Sequence, residues 1–332
     1  MKLLKTLIAT SALIGAGTFA SAQANPAVIF DLGGKFDKSF NEMSYTGAER
    51  FTADTGISYR EFELQSDAQR EQALRRFAQA GNNPVVVAGF SNTTALAAVA
   101  PDFPDTSFVI IDGVVDSPNV RSVLFKAYEG SYLVGILAAM ASETGTVSFV
   151  GGMDIPLISA FECGYAQGAV ATNADIIVLQ SMTGTDGSAW NNPVKGGEIT
   201  IAQIENGSDV VFAAAGGTGR GVYQAAADAG IYAIGVDANQ NYLHPGNMLT
   251  SMLKRVDVAV YDAFNDVNNG EFTAGIQVMG LAEDGVGWAL DENNADLITD
   301  KMKAAVEAAS AAIIAGDIVV HDYTSDNSCP VE

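Results

Sequence analysis

The chain reads as an α/β protein built from two parallel sheets, and three features of its sequence carry that reading. From residue 27 onward, short β-branched runs alternate with helix-length amphipathic or Ala-rich segments, the pattern of a parallel sheet covered on both faces. The strand candidates are too many for one comfortable doubly wound sheet, and 332 residues suffice for two medium domains. Finally, polar or glycine turns end strands in both halves of the chain, where open α/β sheets bind ligands.

The strand candidates are 27–32, 57–64, 84–88, 107–112, 146–150, 176–180, 210–214, 232–236 and 248–252. Helix-length stretches lie between most of them, among them 39–53, 67–80, 129–142, 159–171, 196–205 and 219–229. The 129–142 stretch is strongly apolar, and its length suits a buried helix better than a membrane span. An Ala-rich amphipathic helix is expected over 300–315, followed by a loosely structured tail in the last twelve residues. The turns are Asp31-Leu32-Gly33-Gly34, Gly89-Phe90-Ser91-Asn92, Asp112-Gly113, Gly151-Gly152, Gly216-Gly217 and Asp237-Ala238-Asn239. Their recurrence in both halves predicts two facing sheet edges with a cleft between them.

Ahead of this lies a stretch with the composition of an export signal, assigned to residues 1–22. Lys2 and Lys5 precede an apolar run over 7–17, and Ala20-Ser21-Ala22 supplies small residues at a cleavage point. No Cys directly follows the run, so a soluble periplasmic protein without a lipid anchor is expected. The formal net charge of −22 repels phosphates, which argues against nucleic acid and anionic membrane as partners. Cys163 and Cys329 are the only cysteines; in an oxidising compartment they either pair or remain as two buried thiols. His244 and His321 are too few for a conventional zinc site, so no metal is expected.

Enzyme signatures are weak. The segment 215–221, Ala-Gly-Gly-Thr-Gly-Arg-Gly, follows a strand, opens a helix and is trailed by Asp237, but its glycines do not fit G-x-G-x-x-G. There is no G-x-S-x-G elbow, H-E-x-x-H or P-loop. Asp262 and Asp266, one helical turn apart, read as solvated helix residues. A binding protein without cofactor is the expectation. In the segment from Asp31 to Asn41 a strand runs into a helix; Ser39 is the expected N-cap, which puts Phe40 and Asn41 in the first turn at the sheet edge.

Asp37-Lys38-Ser39-Phe40-Asn41, followed by Gly47, resembles the opening of the basic membrane protein (BMP) family of substrate-binding lipoproteins, the purine-nucleoside receptors of ABC transporters. The likeness continues through Phe108 to Asp112-Gly113, Phe125-x3-Glu129-Gly130-Ser131-Tyr132-x2-Gly135 and Val150-Gly151-Gly152-Met153. It ends with Asn192-Pro193-x-Lys195-Gly196, Gly235-Val236-Asp237 and Ser251-x2-Lys254. Two departures stand out: the lipobox Cys is missing, and Trp190 takes a place that is often Phe.

The resemblance implies a type I periplasmic-binding-protein fold, two Rossmann-like lobes joined by a multi-crossing hinge, with a nucleoside held between them for ABC permease subunits. Carried onto this chain, Phe40 and Trp190 would sandwich the base. Asp31, Asn41 and Asp112 would read base edges or ribose hydroxyls, and Asp237 would accept from the ribose diol. Lys254 would donate to a hydroxyl or pair with an Asp, and Gly217 would offer a backbone group. Phe36, Phe90 and Phe161 are alternatives for the aromatic role. Lobe one is expected over 26–125 plus 253–279 and lobe two over 126–252 plus 284–332, which puts both cysteines in one lobe. The protein is expected to be a monomer. A receptor for a membrane sensor, a binder of another polar metabolite and an exported enzyme acting on nucleosides are the competing readings.

Overall fold

A computed structural model describes residues 24–331; the expected export signal, 1–22, lies outside them. Two six-stranded sheets organise these residues. The first contains β1 (Ala27–Phe30), β2 (Arg60–Glu63), β3 (Val85–Ala88), β4 (Phe108–Ile111), β5 (Val120–Phe125) and β11 (Gly275–Met279), in the order β11-β5-β4-β3-β1-β2. The second contains β6 (Thr146–Met153), β7 (Ile177–Gly184), β8 (Val210–Ala214), β9 (Tyr232–Asp237), β10 (Met248–Lys254) and β12 (Val286–Trp288), in the order β12-β10-β9-β8-β6-β7. All pairings are parallel except that of β10 with β12.

The continuous apolar runs of the central strands follow from burial on both faces. On one face of the first sheet, Val28, Phe30, Val86 and Val109 pack with Ala48 and Phe51 of α1 (Phe40–Thr55) and Phe264 of α8 (Val256–Asn269). On the other, Ala27, Ile29, Val85 and Val87 meet Leu74 and Phe77 of α2 (Arg70–Gln79) and Leu96 of α3 (Thr93–Val99). The second sheet repeats the scheme. Val147, Phe149 and Phe212 face α4 (Ala127–Ala141), α5 (Pro156–Thr172) and α9 (Asp300–Ala315), whereas Val150, Val211 and Ala213 face α7 (Gly219–Ala229), beside α6 (Pro193–Glu205).

Two motif glycines have packing roles. A Cβ on Gly47 would lie 2.2 Å from the Asp257 carbonyl oxygen, so α8 seats directly on α1. A Cβ on Gly135 would lie 2.2 Å from the Tyr165 carbonyl oxygen, so α4 and α5 meet backbone to backbone.

The chain passes between the sheets three times. It leaves β5 at Lys126, leaves β10 at Arg255, and returns from β11 to β12 through 280–285. These crossings are stitched together: Lys126 N–H donates to the Met279 carbonyl at 3.0 Å, and Arg255 N–H to that of Gly285 at 2.8 Å. Glu129, from the E-G-S-Y motif, accepts from Leu281 N–H at 2.8 Å. Because Leu253 still pairs with Asp237 in the second sheet, the second crossing falls just beyond the expected position at 253.

Three strands escape the apolar-run criterion. Strand β5 carries Arg121 and Ser122 into the interior, one paired with Asp266 at 2.7 Å and the other accepting from Val115 N–H at 3.1 Å. Strand β11 is an exposed edge and β12 has three residues. The C-terminal tail also departs from expectation, for it is pinned. Cys329 is joined to Cys163 of α5, with Cα atoms 5.6 Å apart. Upstream, Gln167 and the His321 backbone exchange hydrogen bonds at 2.8 and 3.0 Å. The bond closes a loop across a sequence separation of 166, so losing it should cost about 2–5 kcal/mol, mainly by freeing the unfolded chain. Denatured, unreduced protein should titrate no thiol, and dithiothreitol should lower the unfolding midpoint. Two free thiols, or an unmoved midpoint, would contradict the pairing.

Candidate ligand-binding site

The carboxyl ends of the two sheets border a gap with about 620 Å³ of non-atom space, part of it open to solvent. It lies at the switch point of each strand order, between β1 and β3 in one sheet and β6 and β8 in the other, where helices leave to opposite faces and a crevice opens. Seven of the eight expected site residues border it: Asp31, Phe40, Asn41, Asp112, Trp190, Asp237 and Lys254. Gly217 does not. A Cβ there would lie 3.2 Å from the Trp190 carbonyl oxygen, and it is Gly216 that reaches the gap.

The turn from β1 to α1 is organised by Asp37, not by the expected cap Ser39. The Asp37 carboxylate accepts from the N–H groups of Ser39 (2.8 Å), Asn41 (3.0 Å) and Glu42 (3.1 Å), filling the donors that a helix start leaves open. Burial pushes its pKa up to about 7 against the pull of these bonds, and Asp237 adds to the rise. Asn41 is tied to the end of β1 in both directions: its Oδ1 accepts from Asp31 N–H at 2.9 Å and its Nδ2 donates to the Asp31 carbonyl at 3.2 Å. One amide N–H remains for the gap. Asp31 Oδ1 is held by Arg70 at 2.6 Å and by Leu32 N–H at 2.8 Å, leaving Oδ2 without a partner among the described residues. Burial raises its pKa although Arg70 opposes the shift.

Trp190 enters from the second lobe, on the segment between β7 and α6. Its indole lies on Gly152, where a Cβ would be 2.2 Å from the ring. Phe40 and Trp190 thus border one gap from opposite lobes, and among the described residues they are not a ring pair in contact. Of the alternative aromatics, Phe90 and Phe161 also border the gap. Phe36 is 56 % exposed and packs edge-on against Tyr45.

Asp112 and Asp237 close β4 and β9, strands that hold the same place in their sheets, and both have φ 64°. Left-handed backbone is uncommon outside glycine and is tolerated best by Asn and Asp. Asp112 Oδ2 pairs with Lys254 Nζ at 2.5 Å, while its Oδ1 is buried without a hydrogen-bond partner among the described residues. Lys254 closes β10, and its ammonium lies 5.1 Å from the ring centres of Phe40 and Phe125 and 5.5 Å from that of Phe161, a favourable placement for a cation. Asp237 Oδ2 accepts from the Ser39 hydroxyl across the gap. Burial raises the Asp237 pKa, with Lys254 and the Ser39 bond pulling the other way.

The residues missed by sequence reasoning are Asp37 and the apolar wall made by Leu157, Ile158 and Val236. Asp37 stands inside the opening motif and was legible as an acidic side chain three residues ahead of the first helical residue, Phe40. The apolar wall carried no signal that separates it from core. The gap therefore combines four aromatic rings, several carboxylate oxygens, one amide N–H and one ammonium, a set suited to a flat, donor-rich polar molecule.

The model of the family described as ABC transporter substrate-binding protein PnrA-like matches residues 24–322. The chain is 33 % identical over 318 residues to the ABC transporter nucleoside-binding protein BmpA of Lactococcus lactis, covering 89 % of this chain and 88 % of that one. It is 35 % identical over 298 residues to an uncharacterised lipoprotein of Pyrococcus abyssi, covering 84 % and 73 %. A crystal structure of an ABC transporter solute-binding protein from Aeropyrum pernix superposes with a TM-score of 0.82 at 30 % identity, covering 90 % and 94 %. Matched over nearly all its described residues, and with the two-lobed periplasmic-binding architecture in place, the chain belongs to the Bmp family of PnrA-like substrate-binding proteins of ABC transporters.

Proposed function

We propose that the protein captures a nucleoside, with a purine base preferred, between its lobes and presents it to the permease of an ABC uptake transporter. The observation that carries this reading is the placing of Phe40 and Trp190 on one gap from opposite lobes, with carboxylates around them. A base stacked between the two rings gains roughly 0.5–1.5 kcal/mol per aromatic contact beyond burial. Asp31 Oδ2 and the unpartnered Asp112 Oδ1 are acceptors for base N–H groups or ribose hydroxyls, and the remaining Asn41 N–H is a donor. Asp237 accepts from the ribose diol. Lys254, engaged with Asp112, holds that carboxylate in place and offers its other N–H groups.

In this reading lobe one (26–125 with 255–279) and lobe two (126–254 with 284–332) rotate about the three crossings, since contacts to both are complete only when the clamp is shut. The protein acts without catalysis, as an exported periplasmic monomer, and meets no nucleic acid. Its relatives include an uncharacterised lipoprotein, whereas the two cysteines of this chain are joined to each other.

Trp190→Ala should weaken adenosine or inosine binding at least about tenfold, or ~1.4 kcal/mol, with the fold intact. Gly152→Ala, which crowds the indole, should weaken it in the same direction. Unchanged affinities by calorimetry would reject the sandwich. Asp237→Ala should cost ribosides far more than free bases; equal losses would reject the ribose assignment.

A further inference from the structure

We infer that Ser39 and Gln240 form a latch between the lobes, holding the clamp shut and fixing Asp237, and that they are positioning residues for ligand retention. Besides the Lys254–Asp112 pair, which joins the two sheets next to the second crossing, the side chains of Ser39 and Gln240 carry hydrogen bonds made by protein groups alone across the gap. The Ser39 hydroxyl donates to Asp237 Oδ2, and Gln240 Nε2 donates to the Lys38 carbonyl at 2.8 Å. Ser39 is fully buried and Gln240 is 1 % exposed, so neither bond is diluted by water.

Each side of the latch is prebuilt within its own lobe. In lobe two, Gln240 Oε1 accepts from Val236 N–H at 2.7 Å and from the Tyr223 hydroxyl at 2.9 Å. A backbone donor thus fixes the carbonyl end, and the NH₂ end must face Lys38. The same side chain braces the end of β9, one residue before Asp237. In lobe one, Lys38 has φ 68°, a left-handed conformation that persists in a non-glycine residue only where its surroundings enforce it. Asp37 enforces it by gripping the N–H groups that follow.

Contacts made after encounter slow release more than they change capture. Stopped-flow measurement of adenosine binding, read by tryptophan fluorescence, is the test. Ser39→Ala removes the hydroxyl. Gln240→Glu keeps both acceptor contacts and replaces the donor to Lys38 with an oxygen that faces that carbonyl. Each variant should release adenosine about tenfold faster, as expected for a buried hydrogen bond with an acceptor left unpaired, with association within about twofold of wild type. A fall in association with unchanged release, or no change in either rate, overturns the latch. The kinetic arm rests on the nucleoside reading, so small-angle scattering of ligand-free protein forms a separate arm. If the wild type binds neither adenosine nor any other nucleoside, that reading fails and the latch is judged on scattering alone. Both variants should then have a larger radius of gyration than the wild type, and equal radii would overturn it.

Discussion

Four carboxylates, those of Asp31, Asp37, Asp112 and Asp237, have their side chains buried in one gap between two sheet edges, and the site is organised around keeping them there. A buried carboxylate loses several kcal/mol of solvation unless other groups replace the water. Each is compensated differently. Asp31 has Arg70, Asp112 has Lys254, Asp37 has three backbone N–H groups, and Asp237 has a hydroxyl from the opposite lobe. For Asp112 and Asp237 the partner comes from the other lobe. That ties the chemistry of the site to the geometry of closure.

The parallel sheets make this arrangement possible. Strands of one direction bring their last residues to the same edge, and the switch points leave room there. Because β4 and β9 hold matching places, Asp112 and Asp237 stand as counterparts, one per lobe and with the same left-handed backbone. The three crossings, stitched by Lys126, Glu129 and Arg255, join the two lobes.

Much of this was legible in the sequence. The alternation of β-branched runs with helix-length segments predicts the two sheets, and the turns at Asp31, Asp112 and Asp237 mark the edges where the gap lies. Other features depend on tertiary partners. Ser39 looks like a cap because it immediately precedes the helix, yet Asp37 has the better reach to the open N–H groups, which frees the hydroxyl for the opposite lobe. Gly217 and Gly216 are indistinguishable as letters, and only the path of the backbone under Trp190 separates them. Strand β5 is hidden by Arg121, whose charge is answered by Asp266, 145 residues away. Periodicity sees neighbours along the chain, not partners of that kind.

In the proposed function, Phe40, Trp190 and a set of fixed carboxylates grip a heterocycle that carries a sugar. Native mass spectrometry of protein purified without denaturation, then mixed with an equimolar panel of nucleosides, free bases, pentoses and amino acids, tests this most directly. The account predicts a single 1:1 adduct with the mass of a nucleoside. A dominant adduct with the mass of an amino acid or a free sugar, or bare protein throughout, would contradict it.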